Sequence, residues 1–327
     1  MIISRTPFRV SFFGGGTDYP AWVEKHGGAV LSTSIDKYCY VSCRHLPPFF
    51  EHNYRITYSC LEHVKTVDEI QHPAIREVLK VYQDGKGLEI HCDADLPARS
   101  GLGSSSSFVV GLLHSLEGLR GRRVTPKWLA GESIRYEQQV LGETVGYQDQ
   151  IAAAYGGLNI LHFKKDGNFT VEPLILSAER KKEFGSHLML FFTGFSRIAS
   201  EVAKSKVANF SAREQQLHAM RAMVDEAVEL LVSGRALTAF GELLHQAWQH
   251  KRSLSDGVST AAIDEIYETA RANGAIGGKL LGAGGGGFLL LFVQPGKQDA
   301  VRSALNHLIH VPFRFESGGS QVVYYRG

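Results

Sequence analysis

The residues best suited to chemistry form one short segment, GLGSSSS, at residues 101–107. Its members are Gly101, Leu102, Gly103, Ser104, Ser105, Ser106 and Ser107. Directly after it, Phe108, Leu112 and Leu116 recur at i, i+4 and i+8, which predicts a helix beginning near Ser104. The first N–H groups of a helix lack intrahelical partners and favour an anion, and glycine lets a ligand approach the main chain. The segment therefore predicts a phosphate-binding loop, with a plain Gly/Ser turn capped by a serine as the alternative.

The familiar nucleotide-binding loops do not fit this segment. A Walker A loop requires a lysine after its last glycine, and here four serines follow Gly103. A dinucleotide-binding fingerprint requires a third glycine where Ser106 stands. The chain also lacks the H-R-D and D-F-G tripeptides of protein kinases. The predicted anion site therefore belongs to another class.

Two further glycine clusters lie near the ends of the chain. FFGGGTDYP spans residues 12–20 after a predicted strand, and KLLGAGGGGFLLLFV spans residues 279–293. Four consecutive glycines at 284–287 cost a few kcal/mol relative to alanine, at roughly 0.5–1 kcal/mol each, unless the backbone needs them. Either something approaches this backbone closely, as a ligand would, or the glycines permit a tight bend or close packing.

Regular elements position these clusters in two unlike halves. In the first half, alternation over residues 88–95 predicts a strand that Pro97 ends, and Thr125 with Pro126 predicts the start of a second helix. In the second half, Ser211 and Glu214 form a capping-box pattern before a helix that Gly234 ends. More helices follow, then an extended FLLLFV, a short helix and two strands, VPFRF and QVVYY. We predict an α+β protein with domains at residues 1–175 and 176–327.

Whole-chain properties exclude several classes of protein. With 327 residues, 44% hydrophobic and 21% charged, the chain has the composition of a folded globular protein with a sizeable core. A net charge of +2 gives no electrostatic case for a nucleic-acid or membrane partner. No apolar run approaches the ~18 residues that span a bilayer, and the N-terminus MIISRTPFRV lacks the long apolar region of a signal peptide. We therefore expect a cytoplasmic protein.

Three segments in order, RTPFRVSFFGGGTDYP, LPARSGLGSSSS and GGKLLGAGGGGF, resemble the motifs of the GHMP kinases, which include galactokinase, homoserine kinase and mevalonate kinase. GGGTDYP, FTGFSRIAS and ANGAIGGKLLGAGGGGF most resemble the D-glycero-D-manno-heptose 7-phosphate kinases and related sugar kinases. The resemblance implies an N-terminal domain similar to domain 2 of ribosomal protein S5 and a ferredoxin-like C-terminal domain. It also implies an active site between them, with ATP on the loop at 101–107.

The resemblance also implies roles for individual residues. Ser105 and Glu137 match the magnesium ligands, and hydroxyl and carboxylate oxygens suit that hard cation. Asp149, in VGYQDQIAAAYGG, matches the catalytic aspartate, and Arg9 matches the basic residue of the first motif, which would stabilise the transferring phosphoryl group. The implied substrate-binding residues are Gly15, Gly16, Thr17, Asp18, Arg197, Gly285 and Gly286.

Each of these residues has an ordinary alternative. Glu137 could be a solvated helix residue, Asp149 an N-terminal helix cap, Arg9 a residue flanking a strand and Asp18 part of a turn. A phosphorylated substrate would need a second anion site, for which Arg197, Lys204 and Arg99 are open candidates.

The expected function is that of an ATP- and Mg2+-dependent kinase acting on the anomeric hydroxyl of a heptose 7-phosphate. The alternatives are a kinase for an unphosphorylated sugar, such as fucose or galactose, and a non-catalytic regulator that binds sugar and ATP. The retained Ser105, Glu137 and Asp149 weigh against the regulator. The sequence leaves the oligomeric state open.

Overall fold

The computed structural model describes residues 1–82, 85–194 and 199–326. Its α-helices are α1 (Pro20–His26), α2 (Pro73–Tyr82), α3 (Ser104–Leu119), α4 (Pro126–Arg135), α5 (Gln148–Tyr155), α6 (Ala178–Ser186), α7 (Ala199–Ala208), α8 (Glu214–Val232), α9 (Thr238–Arg252), α10 (Ala261–Ala272) and α11 (Gln298–Ala304). Its strands are β1 (Ile2–Phe13), β2 (Gly28–His45), β3 (Tyr54–Thr57), β4 (Leu61–Val64), β5 (Leu88–Ala94), β6 (Leu158–Phe163), β7 (Phe169–Pro173), β8 (Leu188–Phe192), β9 (Ala275–Leu280), β10 (Phe288–Val293), β11 (Ile309–His310), β12 (Phe315–Glu316) and β13 (Gln321–Tyr325). No helix in these ranges is both long and apolar enough to cross a membrane.

A nine-stranded sheet forms the first layer of the fold. The strands β13-β1-β2-β5-β3-β4 lie side by side in that order, with β6 and β12 also on β2 and β7 on β6. Among the strands of the described residues, only β3 and β5 pair in parallel. The predicted strand at 88–95 is confirmed as β5. β1 and β2 pair along most of their length, and the first glycine cluster follows β1 in the connection that contains α1.

Helix α3 lies against β1 and β2, and its N-terminus lines a polar cavity. Its apolar face is buried, as the spacing of Phe108, Leu112 and Leu116 predicted. The Ser107 hydroxyl donates to the Pro7 carbonyl oxygen at 2.9 Å, which fixes the first turn of the helix to β1. The sheet therefore sets the direction in which the free N–H groups of α3 point.

A four-stranded antiparallel sheet, β11-β8-β10-β9, forms the core of the second half, with α9 and α10 packed on β9. The sequence analysis places its last two strands, VPFRF and QVVYY, in this half. Of VPFRF only Phe315 lies in a strand, β12, and the placement of both strands in this half is wrong. β13 pairs with β1, and β12 pairs with β2, both in the first sheet. Local alternation predicts a strand but not its distant partner. The division at residues 175 and 176 stays a prediction.

The start of α8 also differs from the expected one. Ser211 lies in a 3-10 turn, Phe210–Arg213, and the helix begins at Glu214 with no side-chain cap. The capping box therefore does not form, because Ser211 lies inside the 3-10 turn and Glu214 is the first residue of the helix instead of its third. The predicted helix end is confirmed, since Gly234, with φ +71°, follows Ser233 directly after the last turn.

Candidate active site

The loop at 101–107 borders a polar cavity between the two sheets. Gly103 precedes α3 in a left-handed conformation, φ +75°, so a glycine is favoured there. The Ser107 N–H donates to the Gly103 carbonyl at 2.9 Å and closes the first turn, which leaves the preceding N–H groups at the helix end. Ser104, Ser105 and Ser106 line the cavity at this point. This arrangement suits phosphate oxygens.

Arg9 and Asp149 form an ion pair on the wall of the same cavity. Nε and Nη2 of Arg9 both lie 2.8 Å from Oδ1 of Asp149, and Nη1 donates to the Gly101 carbonyl at 2.7 Å. The arginine side chain is 4% exposed and the aspartate 28%. Arg9 thus connects the loop at 101–107 to a carboxylate that lines the cavity, and no described residue donates a hydrogen bond to the second carboxylate oxygen.

Asp18 lies at the floor of the cavity in the first glycine cluster. Its Oδ1 accepts a hydrogen bond from the Gly16 N–H at 2.8 Å, and burial raises the pKa of the carboxyl group. A Cβ at Gly146 would lie 1.9 Å from Asp18 Oδ2, so the absence of a side chain at 146 makes room for this carboxylate. Asp18 is thus an oriented acceptor for polar groups of a ligand.

Glu137 is completely buried behind the serines, in a single π-helical turn, Tyr136–Val140, that continues α4. Its Oε2 accepts from the Ser106 hydroxyl at 2.8 Å and from the Gln150 amide, whereas Oε1 has no partner among the described residues. Burial raises the pKa of this carboxyl group to about 8. Turns of this kind occur frequently at functional sites. A buried carboxylate oxygen without a hydrogen-bond partner is a candidate ligand for a cation.

Three lysines of the second half reach the cavity, and sequence analysis missed all of them. Lys251 Nζ donates to the carbonyls of Leu280 and Gly282 at 2.7 Å, and Lys279 Nζ donates to the Phe12 carbonyl at 2.8 Å. Lys206 Nζ lies 4.6 Å from the centre of the Tyr19 ring. All three are buried, and none has a described carboxylate within 4.0 Å.

Burial lowers the pKa of all three lysines, to about 7 for Lys279. Lys251 had a signal in the sequence, because it continues the apolar stripe of α9 one turn after Trp248. A charged side chain within an apolar helical stripe is uncommon unless the folded protein or a ligand supplies a polar partner for it. The same holds for Lys279 in the buried strand β9.

The family models decide the assignment. The model described as GHMP kinases N terminal domain matches residues 68–157, and the model described as GHMP kinases C terminal matches residues 223–310, together more than half of the chain. The chain belongs to the GHMP kinase family. Its relatives are kinases of sugars and other alcohols, and the chain is a sugar kinase that uses ATP.

Individual relatives refine this picture. The D-glycero-alpha-D-manno-heptose 7-phosphate kinase of Campylobacter jejuni is 29% identical over 315 residues, 93% of each chain. The L-fucokinase/L-fucose-1-P guanylyltransferase of Bacteroides fragilis is 26% identical over 92% of this chain but only 35% of its own length. A D-glycero-D-manno-heptose 1-phosphate kinase from Bacteriodes thetaiotaomicron superposes over 100% of both chains with a TM-score of 0.82 at 23% identity. The predicted two-domain GHMP kinase fold is therefore confirmed.

The structure of the kinase brings most of the predicted site together. The predicted residues that line the cavity are Arg9, Gly15, Gly16, Asp18, Gly101, Gly103, Ser104, Ser105, Ser106 and Asp149. Of the candidates for a second anion site, Arg99 lines the cavity and Lys204 is exposed outside it. Arg197 lies outside the described residues.

Some predicted contacts are not found. Ser105 is exposed, and Ser106 is the serine bonded to Glu137, because the first helical turn directs position 106 inward. Leu102 and Ser107 are buried beside the cavity and support the loop. Thr17 donates to the carbonyls of Gly14 and Ala29, and so holds the turn rather than facing a ligand.

The third glycine cluster contacts the phosphate loop itself. Gly285 and Gly286 are buried and do not line the cavity, contrary to the expected substrate contact. A Cβ at Gly287 would lie 2.2 Å from the Ser100 carbonyl oxygen, and the Phe288 N–H donates to that oxygen at 3.1 Å. The close approach that the glycines permit is therefore that of the protein's own chain.

We expect Gly287→Ala to lower the free energy of unfolding by at least about 3 kcal/mol, because the added methyl group meets immobile backbone. The matched control is Gly167→Ala, which also has a positive φ, +80° against +107° at Gly287, but open space around the new Cβ. This control should cost only about 1 kcal/mol. Urea denaturation measures both. Equal losses in the two variants would show that backbone conformation, and not contact with the loop, requires Gly287.

Proposed function

We propose that this GHMP kinase uses ATP and Mg2+ to phosphorylate the anomeric C1 hydroxyl of a sugar that already carries a phosphate, D-glycero-D-manno-heptose 7-phosphate, giving the 1,7-bisphosphate. The name of the Campylobacter jejuni relative supports the acceptor. The name of the Bacteroides fragilis relative, which pairs a fucokinase with an enzyme of L-fucose-1-P, supports phosphorylation at C1. The unpaired lysines of the cavity are the observation that carries the proposal.

The charge of the cavity favours a doubly charged anion besides ATP. Its charged side chains are Arg9, Arg99, Lys206, Lys251, Lys279, Asp18, Glu143 and Asp149, an excess of two cations when all are ionised. Ammonium groups buried without a counter-charge are costly, and an anionic ligand would remove that cost. The three lysines come from the second half of the chain and line the same cavity as the loop that suits ATP. A neutral sugar would leave them uncompensated.

In this proposal Asp149 orients the acceptor hydroxyl and accepts its proton. The Oδ2 atom is available because Arg9 contacts only Oδ1. The guanidinium group of Arg9 lies between the carboxylate and the phosphate loop, where it can neutralise charge on the transferring phosphoryl group. Asp18, which lines the same cavity, accepts hydrogen bonds from sugar hydroxyls.

The residues near the loop fit a magnesium ion. Glu137 has a carboxylate oxygen without a partner, and the Ser106 hydroxyl connects Glu137 to the cavity. We propose Glu137 with Ser106, or with Ser105 after a shift of the loop, as its protein ligands. When bound, the ion would neutralise charge on the ATP phosphates. Without the ion, the Glu137 carboxyl group keeps its proton at neutral pH, because burial raises its pKa to about 8.

Incubation with Mg2+, ATP and a panel of sugars and sugar phosphates, followed by phosphorus NMR of the product, tests the acceptor and the position. We expect a new anomeric phosphate resonance with heptose 7-phosphate. Turnover of free fucose or galactose alone would assign the enzyme to an unphosphorylated sugar. Absence of turnover with every acceptor would favour the regulator.

We expect Lys206→Met to lower kcat/KM for heptose 7-phosphate at least about 10-fold and to change the value for the unphosphorylated heptose much less, because a hydrogen-bonded charge pair with the acceptor phosphate is worth about 1.5–3 kcal/mol. Lys206 is buried in the cavity wall beside Tyr19. Lys204→Met is the matched control, since Lys204 lies in the same helix but is exposed. Equal losses for both acceptors would place Lys206 in general support of the site.

A further inference from the structure

Two histidines and a glutamate converge on the surface where α1 meets α8. His26 is the last residue of α1, Glu214 is the first of α8, and His218 follows one turn later. Glu214 Oε1 lies 3.3 Å from His26 Nε2 and 3.7 Å from His218 Nε2. The three ligand atoms all lie within 4.8 Å of one another. No step of the kinase reaction uses these residues.

The two imidazole rings are held by packing around Trp22. The His26 ring stacks on the indole at 4.1 Å, and the His218 ring meets it edge-on at 4.9 Å. The indole itself is only 3% exposed. With these ring contacts, both Nε2 atoms are directed toward Glu214. The side chains keep 25% to 55% exposure, so an ion can enter from solvent.

We propose that His26, Glu214 and His218 form a Zn2+ site. Bond lengths of about 2.0–2.1 Å to nitrogen and oxygen place tetrahedral zinc ligands about 3.3 Å apart. The two measured separations therefore need only a small adjustment. Two histidines, one carboxylate and an open fourth position are a familiar zinc ligand set. The other reading is a plain ion pair between Glu214 and a protonated histidine, and the experiment below separates the two.

Zinc at this site would connect the first glycine cluster, which contains Asp18, to the second half of the protein. Helix α1 begins two residues after Asp18, and its Trp22 packs with Leu217 of α8 in one buried cluster that includes Tyr19 and Phe210. Binding would therefore stabilise the contact between α1 and α8. The ion is separate from the one proposed at Glu137, and this inference does not depend on the identity of the acceptor.

Titration of the metal-free protein with Zn2+ and with Co2+ tests the site. All proteins carry Cys60→Ser, because Cys60 is an exposed free thiol that could bind either metal. We expect one Zn2+ per chain, a melting temperature that rises with Zn2+ concentration, and intense visible Co2+ absorption typical of a four-coordinate ion. His218→Ala should weaken Zn2+ binding at least about 10-fold and abolish the intense Co2+ bands.

The matched control is His307→Ala, which removes an exposed histidine outside the cluster and should change neither readout. Glu214→Gln is a second variant that keeps both rings, should His218→Ala fail to fold. The proposal is overturned if His218→Ala and Glu214→Gln bind Zn2+ as tightly as the parent protein, or if Co2+ stays six-coordinate in the parent. A melting temperature unaffected by Zn2+ would leave only the ion pair.

Discussion

We expect the Asp149→Asn variant to turn over its acceptor at least about 100-fold more slowly than the wild type while it binds ATP almost as well. Asparagine keeps an oxygen to accept from Arg9 but cannot take a proton from the acceptor hydroxyl. Arg9 stays anchored through its 2.7 Å hydrogen bond to the Gly101 carbonyl, so the loop that suits ATP keeps its support. The charge lost next to Arg9 makes the loop side more positive, which does not weaken ATP binding.

Steady-state kinetics and ATP titration measure the two quantities, and a melting curve shows whether the variant folds. Glu143→Gln is the matched control, because it removes the same charge from the lining of the same cavity. Only the Asp149 variant should lose turnover by this factor. If both lose it equally, net charge matters and the position of Asp149 does not. If Asp149→Asn retains turnover, Asp149 acts as a structural partner of Arg9.

Local sequence patterns predict many of the helices and strands of this fold correctly. The strand at 88–95, the helix at Ser104 and the helix end at Gly234 depend on neighbours within a few residues, and all three are confirmed. The membership of β13 in the first sheet depends on a partner more than 300 residues away. The alternation within QVVYY predicts a strand but does not indicate with which strand it pairs.

The site shows the same limit at the level of side chains. Motif order located Arg9, Asp18 and Asp149 in one cavity, because each motif ends a strand or begins a helix that faces it. The inward direction of Ser106, in place of Ser105, depends on the exact phase of the first helical turn. Lys206 and Lys251 lie outside the glycine clusters and Lys279 begins the third one, and only tertiary packing brings the three side chains to one cavity.

The buried carboxyl group of Glu137 should make the free energy of unfolding depend on pH. Burial raises the pKa of this group to about 8, against its ordinary value of 4.5. The unfolded chain therefore releases the proton above pH 4.5, whereas the folded protein retains it to about pH 8. It follows that the wild type loses stability as the pH rises through this window. Because glutamine does not titrate, the free energy of unfolding of Glu137→Gln should not fall in this way as the pH rises.

We expect Glu137→Gln, without Mg2+, to raise the free energy of unfolding at pH 8.5 by about 1–3 kcal/mol and to leave it nearly unchanged at pH 5. Urea denaturation at both pH values measures the difference. Glu132→Gln is the matched control, because Glu132 pairs with Arg135 in a partly exposed site, where the change should be within about 1 kcal/mol at either pH.

The same variant should be a poor enzyme. If Glu137 is a magnesium ligand, its loss should lower kcat at least about 100-fold or raise the Mg2+ concentration for half-maximal activity at least about 10-fold. Gain of stability with loss of activity distinguishes a functional carboxylate from a structural one, because a carboxylate that only served Ser106 and Gln150 would leave the variant less stable and still active. That second outcome would move the magnesium site away from Glu137, and the unpartnered Oε1 atom would then have no functional explanation.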